Sequence, residues 1–327
     1  MKRQVWIAGF GTAAAVLLLA YSPSEPTGEG PAVLWREPKD ISTRDLYYGP
    51  GGKAHEPKGK FTFFSEDTTG SSPKFEVIGE DGVRWRVKLG MEARGETAAS
   101  RLLWAVGYFA NEDYLMPALR VENLPHLHRG AKQVSEDGIV HDARWKRHEK
   151  GEKKLGIWVW SSNPFKDTRE WNGLRVLMAV MNNWDLKDIN NVVYQVGGPE
   201  PERRYIVSDL GASFGTTGLN RGLKGNLKAY EASKWINSIS ADHVDFNVPS
   251  GPSARYILEL TVLVERAELL WIGHGVPRAD ARWMGDLLAK LSPAQIRDAF
   301  RAAGYSPEEV ERFSRVLERR IEELERL

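Results

Sequence analysis

Between Phe61 and Leu89 apolar and polar residues alternate in three short runs, Phe61–Phe64, Lys74–Ile78 and Val83–Leu89, separated by the polar stretches 66–72 and 79–82. Period-two alternation bounded by turn residues predicts β-strands. In the third run Val83, Trp85, Val87 and Leu89 fall on one face and Arg84, Arg86 and Lys88 on the other, so that strand is expected to be half buried and to present a basic row. The period then lengthens. From Glu92 to Val106 the positions Ala99, Leu102, Leu103 and Val106 describe one helical face, closed by Gly107. Tyr114–Val121 and Gly156–Trp160 return to strand character. Glu170–Asn182 is helical again, with Leu174, Leu177, Met178 and Met181 as its stripe. Arg255–Ile272 is apolar but interrupted by Arg255, Glu259, Glu265, Arg266 and Glu268, which fits a core helix better than a membrane span. Ser292-Pro293-Ala294-Gln295 and Ser306-Pro307-Glu308-Glu309 each put Ser at N-cap, Pro at N1 and Gln or Glu at N3, so two capped helices are predicted there. The second of them carries the stripe Val310, Phe313, Leu317, Ile321 and Leu324. Strands first and helices afterwards predict an α+β chain.

The densest chemistry lies between Asn183 and Gly211. Val192–Val196 and Tyr205–Ser208 are strand-like and flank the turn segment Gly197-Gly198-Pro199-Glu200-Pro201, which predicts an antiparallel hairpin. Such a hairpin sets the start of its first strand beside the end of its second, and so Asn190 or Asn191 beside Asp209. Oxygen ligands then meet at one edge. A magnesium ion travelling with a nucleotide needs only one or two protein oxygens, phosphates and water supplying the rest. Asp185 lies one loop upstream, where a base would face a hydroxyl nucleophile.

The sequence Asp185-Leu186-Lys187-Asp188-Ile189-Asn190, followed by Asp209-Leu210-Gly211, resembles the catalytic core of protein-kinase-like enzymes. It departs from conventional protein kinases at two points. Asn183-Trp184 replaces the His-Arg pair, and no Ala-Pro-Glu segment follows, which directs the resemblance to atypical groups such as the HipA-like, CotH-like and lipid-kinase-like families. What the resemblance implies is a two-lobed protein-kinase-like fold: a small β-rich N-lobe with one helix over 61–160, and a mainly helical C-lobe over 161–327. It implies ATP and Mg2+ as cofactors. Asp185 would be the base, Lys187 would meet the transferring phosphate, and Asn190, by its spacing, would bind metal with Asp209. Lys88 would grip the α- and β-phosphates with Glu96 as its ion-pair partner, Glu92 competing one turn earlier. Thr69, Gly70 and Ser71 would belong to the loop over the phosphates. The adenine-binding hinge would fall between Val121 and Pro164, and the Gly-, Ser- and Thr-rich stretch 212–228, with Arg221, Lys224 and Lys228, would present the substrate.

Composition narrows the setting. With 327 residues and 42% hydrophobic content the chain can bury a large core, and a net charge of +1 argues against a general attraction to nucleic acid. Met1-Lys2-Arg3 before the apolar run Val5–Tyr21 predicts an export signal over 1–22, cleaved or kept as a membrane anchor, and hence a periplasmic or extracellular protein. Residues 23–60 are Pro- and Gly-rich and are expected to form a linker touching the domain in places, with Trp35, Tyr47 and Tyr48 as anchors. There is no cysteine, hence no disulfide and no lipidated Cys. His126, His128, His141 and His148 match no metal motif, and Lys146–Lys150 is expected to be a solvated face. The functional expectation is an exported atypical kinase moving phosphate from ATP to an unidentified hydroxyl on a protein, sugar or lipid. Nucleotidyl transfer uses the same ligands and stays open. The rivals are a catalytically inactive kinase-like binding module at the cell envelope and, from the 12 tryptophans, a carbohydrate-binding protein.

Overall fold

Residues 25–70, 72–217, 223–248 and 268–327 are described by a computed structural model. The expected export signal, Ser71, Arg221 and most of Arg255–Ile272 lie outside the described residues. In chain order the elements are β1 (Ala32–Val33), β2 (Phe61–Asp67), β3 (Lys74–Gly79), β4 (Arg84–Lys88), α1 (Glu92–Ala105), β5 (Asp113–Glu122), β6 (Ile139–Arg147), β7 (Glu152–Gly156), α2 (Arg169–Val180), β8 (Asn191–Val196), β9 (Glu202–Val207), α3 (Leu227–Ala232), β10 (Ile236–Ile239), β11 (His243–Phe246), β12 (Val276–Pro277), α4 (Arg278–Leu288), α5 (Pro293–Ala302) and α6 (Pro307–Glu325). The chain is thus a mixed α and β protein. No described helix is long and apolar enough to cross a membrane.

The period-two runs close on themselves. Strands β2, β3, β4, β6 and β5 form a barrel in that order, sealed where β2 runs parallel to β5 at Phe61 and Thr62. Phe61, Phe75, Val77, Trp85, Val87, Tyr114, Val121 and Trp145 fill it, an apolar cluster separate from the main core. The alternation expected of β4 holds for Trp85 and Val87. Lys88, on the opposite face, is nevertheless only 4% exposed, because α1 packs over that end of the barrel.

Strand β6 corrects the sequence reading, which took its residues for a polar surface region. It pairs with both β4 and β5, so it is central to the barrel. Its alternation is masked at Asp142, which has a φ of 47°, so the core residues Val140 and Ala143 are three apart. A second correction concerns Gly156–Trp160, expected as a strand. β7 stops at Gly156, and Trp158 and Trp160 leave the sheet to enter the main core, Trp158 Nε1 donating to the Ile206 carbonyl at 3.0 Å.

The hairpin forms as its turn predicts, with Asn191 opposite Val207 and Val196 opposite Glu202. It sits in a four-stranded sheet, β1-β9-β8-β7, and a three-stranded sheet, β10-β11-β12, follows it. The region after 161 therefore carries more β-structure than a mainly helical expectation allows. Its core is α2 against α4 and α6, and α2 is buried on all sides from Trp171 to Val180. Both capping boxes at Ser292 and Ser306 are present. The segment before β2 lies on the domain at Leu34, Ile41 and Leu46, all buried, and Gln295 Nε2 donates to the carbonyls of Ile41 and Arg44 at 2.8 and 2.9 Å.

One buried cation ties this core to the loop carrying Asp185. The last carbonyls of a helix have no partner within it. At the end of α2 the fully buried Arg320 of α6 donates to the carbonyls of Ala179 and Val180 at 3.2 and 2.9 Å. Its guanidinium lies 4.2 Å from the Tyr230 ring centroid, and the Tyr230 hydroxyl also donates to Val180, at 2.7 Å. Replacing Arg320 by Met keeps the volume but removes the charge-assisted hydrogen bonds to both carbonyls. We expect R320M to lose about 2–4 kcal/mol in urea unfolding, whereas R315M on the exposed face of α6 should stay within about 0.5 kcal/mol.

Candidate active site

Strand β4 ends at Lys88 and α1 begins four residues later across Gly90, whose φ of 96° only glycine adopts without strain. The turn points the first helical residues back at the strand end. Lys88 Nζ lies 2.6 Å from Glu92, 2.9 Å from Glu96 and 3.1 Å from Asp209 at the far end of β9. Both candidate partners from the sequence thus meet Lys88 together. The chain of charge continues: Glu96 also pairs with Arg144 of β6, Arg144 reaches Asp113 at 3.4 Å, and Asp113 receives Arg101 at 3.2 Å and the Ser100 hydroxyl at 2.8 Å. On the other side Glu92 pairs with Lys224. Lys88, Arg101, Arg144 and Lys224 therefore face Glu92, Glu96, Asp113 and Asp209, four cations against four carboxylates, which is how such a cluster survives burial.

The ionisation follows from these contacts. Burial works against the Lys88 ammonium, but Glu96, Asp209 and Glu92 outweigh it and hold its pKa well above the ordinary lysine value. Burial would raise the Glu92 carboxyl too; Lys88 and Lys224 overcome it and bring it down to about 2. Glu96, fully enclosed, is pushed up by burial to about 7 against the pull of Arg144 and Lys88.

The hairpin supplies the opposite wall. Ser208 N–H and Asp209 N–H both donate to the Asn190 carbonyl, at 2.8 and 3.1 Å, which locks Asn190 beside Asp209. The two asparagines then part company. Asn191 is 1% exposed and its Nδ2 donates to the Trp158 carbonyl, whereas Asn190 Nδ2 donates to the Asp185 carbonyl at 2.7 Å. With its nitrogen used in this way, Asn190 has its amide oxygen to offer a cation. The Asp209 side chain is 46% exposed and accepts from Gly211 N–H at 3.0 Å.

Two cavities meet at this pair. One, of about 400 Å³, is lined by Lys88, Glu96, Arg144, Lys146, Glu152 and Tyr194; the other, of about 460 Å³, by Thr69, Glu92, Asp185, Lys187 and Lys224. Gly70, Ile189, Asn190 and Asp209 line both. Thr69 is held by Asp67, through its N–H at 2.9 Å and its hydroxyl at 2.6 Å, and Arg129 donates to the Gly70 carbonyl at 2.7 Å. Of the residues singled out in the sequence, Lys88, Glu96, Asn190 and Asp209 converge on the first cavity and Asp185, Lys187 and Thr69 on the second.

Oxygens of Glu92, Glu96 and Asp209 lie within 4.8 Å of one another, close enough for a metal ion. The Lys88 ammonium already fills that triad. The Asn190 amide oxygen and the Asp209 carboxylate are an all-oxygen donor pair of the kind that could hold a hard cation when phosphates complete the shell. The sequence reading did not find Arg144, Asp113 and Arg101. It also took Lys146 for solvated, whereas it is 7% exposed and lines the cleft. The usable signal was Arg144 and Lys146 alternating about the buried Trp145.

No family model matches the chain, and no curated protein matches it. Among solved structures, the crystal structure of the Helicobacter pylori proinflammatory kinase CtkA is similar to it with a TM-score of 0.39 and 9% identity, over 82% of this chain and 98% of that one. Similarity at that level does not establish a shared fold.

The low pKa of Glu92 has a consequence for stability. A carboxyl whose folded pKa lies below its unfolded value of 4.5 stabilises the fold above pH 4.5 and loses that contribution as pH falls towards about 2. E92Q should therefore cost up to about 3 kcal/mol at pH 7 and little at pH 2, with a flatter acid limb in denaturant titrations run from pH 7 to pH 2.

Proposed function

We propose that the chain is an atypical kinase-like phosphotransferase whose barrel and α1 form a small lobe over a larger one built on α2 and the hairpin, with residues 148–151 as the crossing between them. What supports this is one observation above all: Lys88 is gripped by two carboxylates of α1 and still reaches Asp209, at the point where two cavities meet. The separate apolar cores of the barrel and the rest agree with it.

In this reading a nucleoside triphosphate, ATP by the sequence resemblance, lies in the first cavity and the acceptor hydroxyl enters the second. Lys88 exchanges its contact with Asp209 for phosphate oxygens and stays aimed by Glu92 and Glu96. Asp185 takes the hydroxyl proton as the acceptor oxygen attacks the terminal phosphorus. The bond from that phosphorus to the bridging oxygen breaks, and its electron pair leaves on the nucleoside diphosphate. Lys187 neutralises the phosphoryl group in flight. The Asn190 amide oxygen and the Asp209 carboxylate are the groups that would hold Mg2+, which when bound supplies neutralising charge to the phosphates. Catalysis of this type is positioning and electrostatics. Export to the cell envelope is proposed on the N-terminal sequence alone, and the acceptor is a hydroxyl of a protein, sugar or lipid.

Purified protein should hydrolyse or transfer the terminal phosphate of ATP or GTP in a magnesium-dependent way, read as product mass. D209A should lower turnover by roughly 10³-fold and K88M by roughly 10²-fold. Turnover equal to the parent in D209A would remove the mechanism. Magnesium-dependent thermal stabilisation by nucleotide without any turnover would favour an envelope binding module instead.

A further inference from the structure

At the end of the first cavity away from Asp209, strands β6, β7 and β8 contribute Lys146, Glu152 and Tyr194, to which the chemistry above assigns no task. Lys146 is 7% exposed. Its ammonium donates to the Tyr194 hydroxyl at 3.2 Å and lies 5.3 Å from that ring's centroid. Three N–H donors with one phenolic acceptor leave a buried cation under-satisfied among the described residues. Glu152 is its counterpart. Burial pushes its carboxyl up to about 7, with Lys146 the strongest opposing charge. Yet among the described residues no ion pair within 4 Å joins the two, and none involves Glu152 at all, so an ammonium and a carboxylate face the cavity across a gap.

Three of the backbone N–H groups beside them are already committed. Arg147 N–H donates to Glu112 at 2.8 Å, His148 N–H to Arg84 at 3.0 Å and Glu152 N–H to Glu149 at 3.3 Å. A planar edge entering this gap meets the Lys146 and Glu152 side chains. An ammonium next to a carboxylate offers one donor beside two acceptors. The six-membered edge of guanine is its complement, with the O6 acceptor beside the N1–H and N2–H donors. Adenine gives the carboxylate its amino group alone and places a lone pair at N1, where guanine has a second donor. We propose that Lys146 and Glu152 select a guanine nucleotide as phosphate donor, Lys146 donating to O6 and Glu152 accepting from N1–H and N2–H, with Tyr194 positioning Lys146.

This rests on the phosphotransferase reading, and the test separates the two. Equilibrium binding of magnesium complexes of GTP, ATP and inorganic tripolyphosphate is measured on the full chain, its E152Q and its K146M variants. GTP should bind at least about tenfold tighter than ATP. E152Q should abolish that preference, K146M should weaken GTP towards the tripolyphosphate level, and both should bind tripolyphosphate as the parent does, which also reports that they are folded. ATP binding as tightly as GTP to the parent, or a GTP preference that survives in E152Q, overturns the base assignment while leaving phosphate binding intact. If none of the three ligands binds the parent, the phosphotransferase reading falls and this assignment with it.

Discussion

A lysine ammonium taken almost out of water must be neutralised where it sits, and the placement of Lys88 imposes that condition on three separate parts of the chain. Its attraction to a single carboxylate would not offset the desolvation of both. The fold answers with two carboxylates from α1 and one from the end of β9, then balances the two helix carboxylates in turn, Glu96 through Arg144 and Glu92 through Lys224, while Asp113 and Arg101 continue the chain of charge from Arg144. Barrel, helix and hairpin are joined electrostatically at one point. Removing any one charge weakens the neutralisation of each of its neighbours, which is why these residues hold one another in place.

The polar seam relies on apolar packing on both sides. Trp85, Val87 and Trp145 make the barrel rigid enough to present Lys88 and Arg144 from adjacent strands, in register at Lys88 and Arg144 themselves. On the other side, buried α2 ends on carbonyls that Arg320 and Tyr230 satisfy, and the chain leaves through Asn182 in a left-handed turn, with a φ of 54°. The Asp185 loop begins there. Its position is thus inherited from the core of the C-terminal helices, far from the cleft in sequence.

The two cavities separate two kinds of demand. The one beneath the barrel is crowded with charge. The one at Asp185 and Lys187 opens on the other side of Asn190 and Asp209. In the proposed reading a group transferred between them would pass Asn190 and Asp209, which line both together with Gly70 and Ile189. That geometry asks little covalent chemistry of the protein and a great deal of orientation.

The sequence by itself determined what neighbouring residues decide. The turn chemistry of 197–201 set the hairpin and so the meeting of Asn190 with Asp209, serine and proline set the starts of α5 and α6, and the period change after Leu89 set β4 against α1, bringing Lys88 to Glu92 and Glu96. Each is a matter of a few bonds along the chain. Only the tertiary structure decided which asparagine lines both cavities, because the two are told apart by a carbonyl of Trp158, 33 residues away, and one of Asp185. The same holds for Arg144 and Lys146. Their run is polar along the sequence, and nothing local says that closure of the barrel will bury one against Glu96 and the other against Tyr194. Burial is a property of what packs on a strand, and for β6 the packing partners come from β4, β5, α1 and β8.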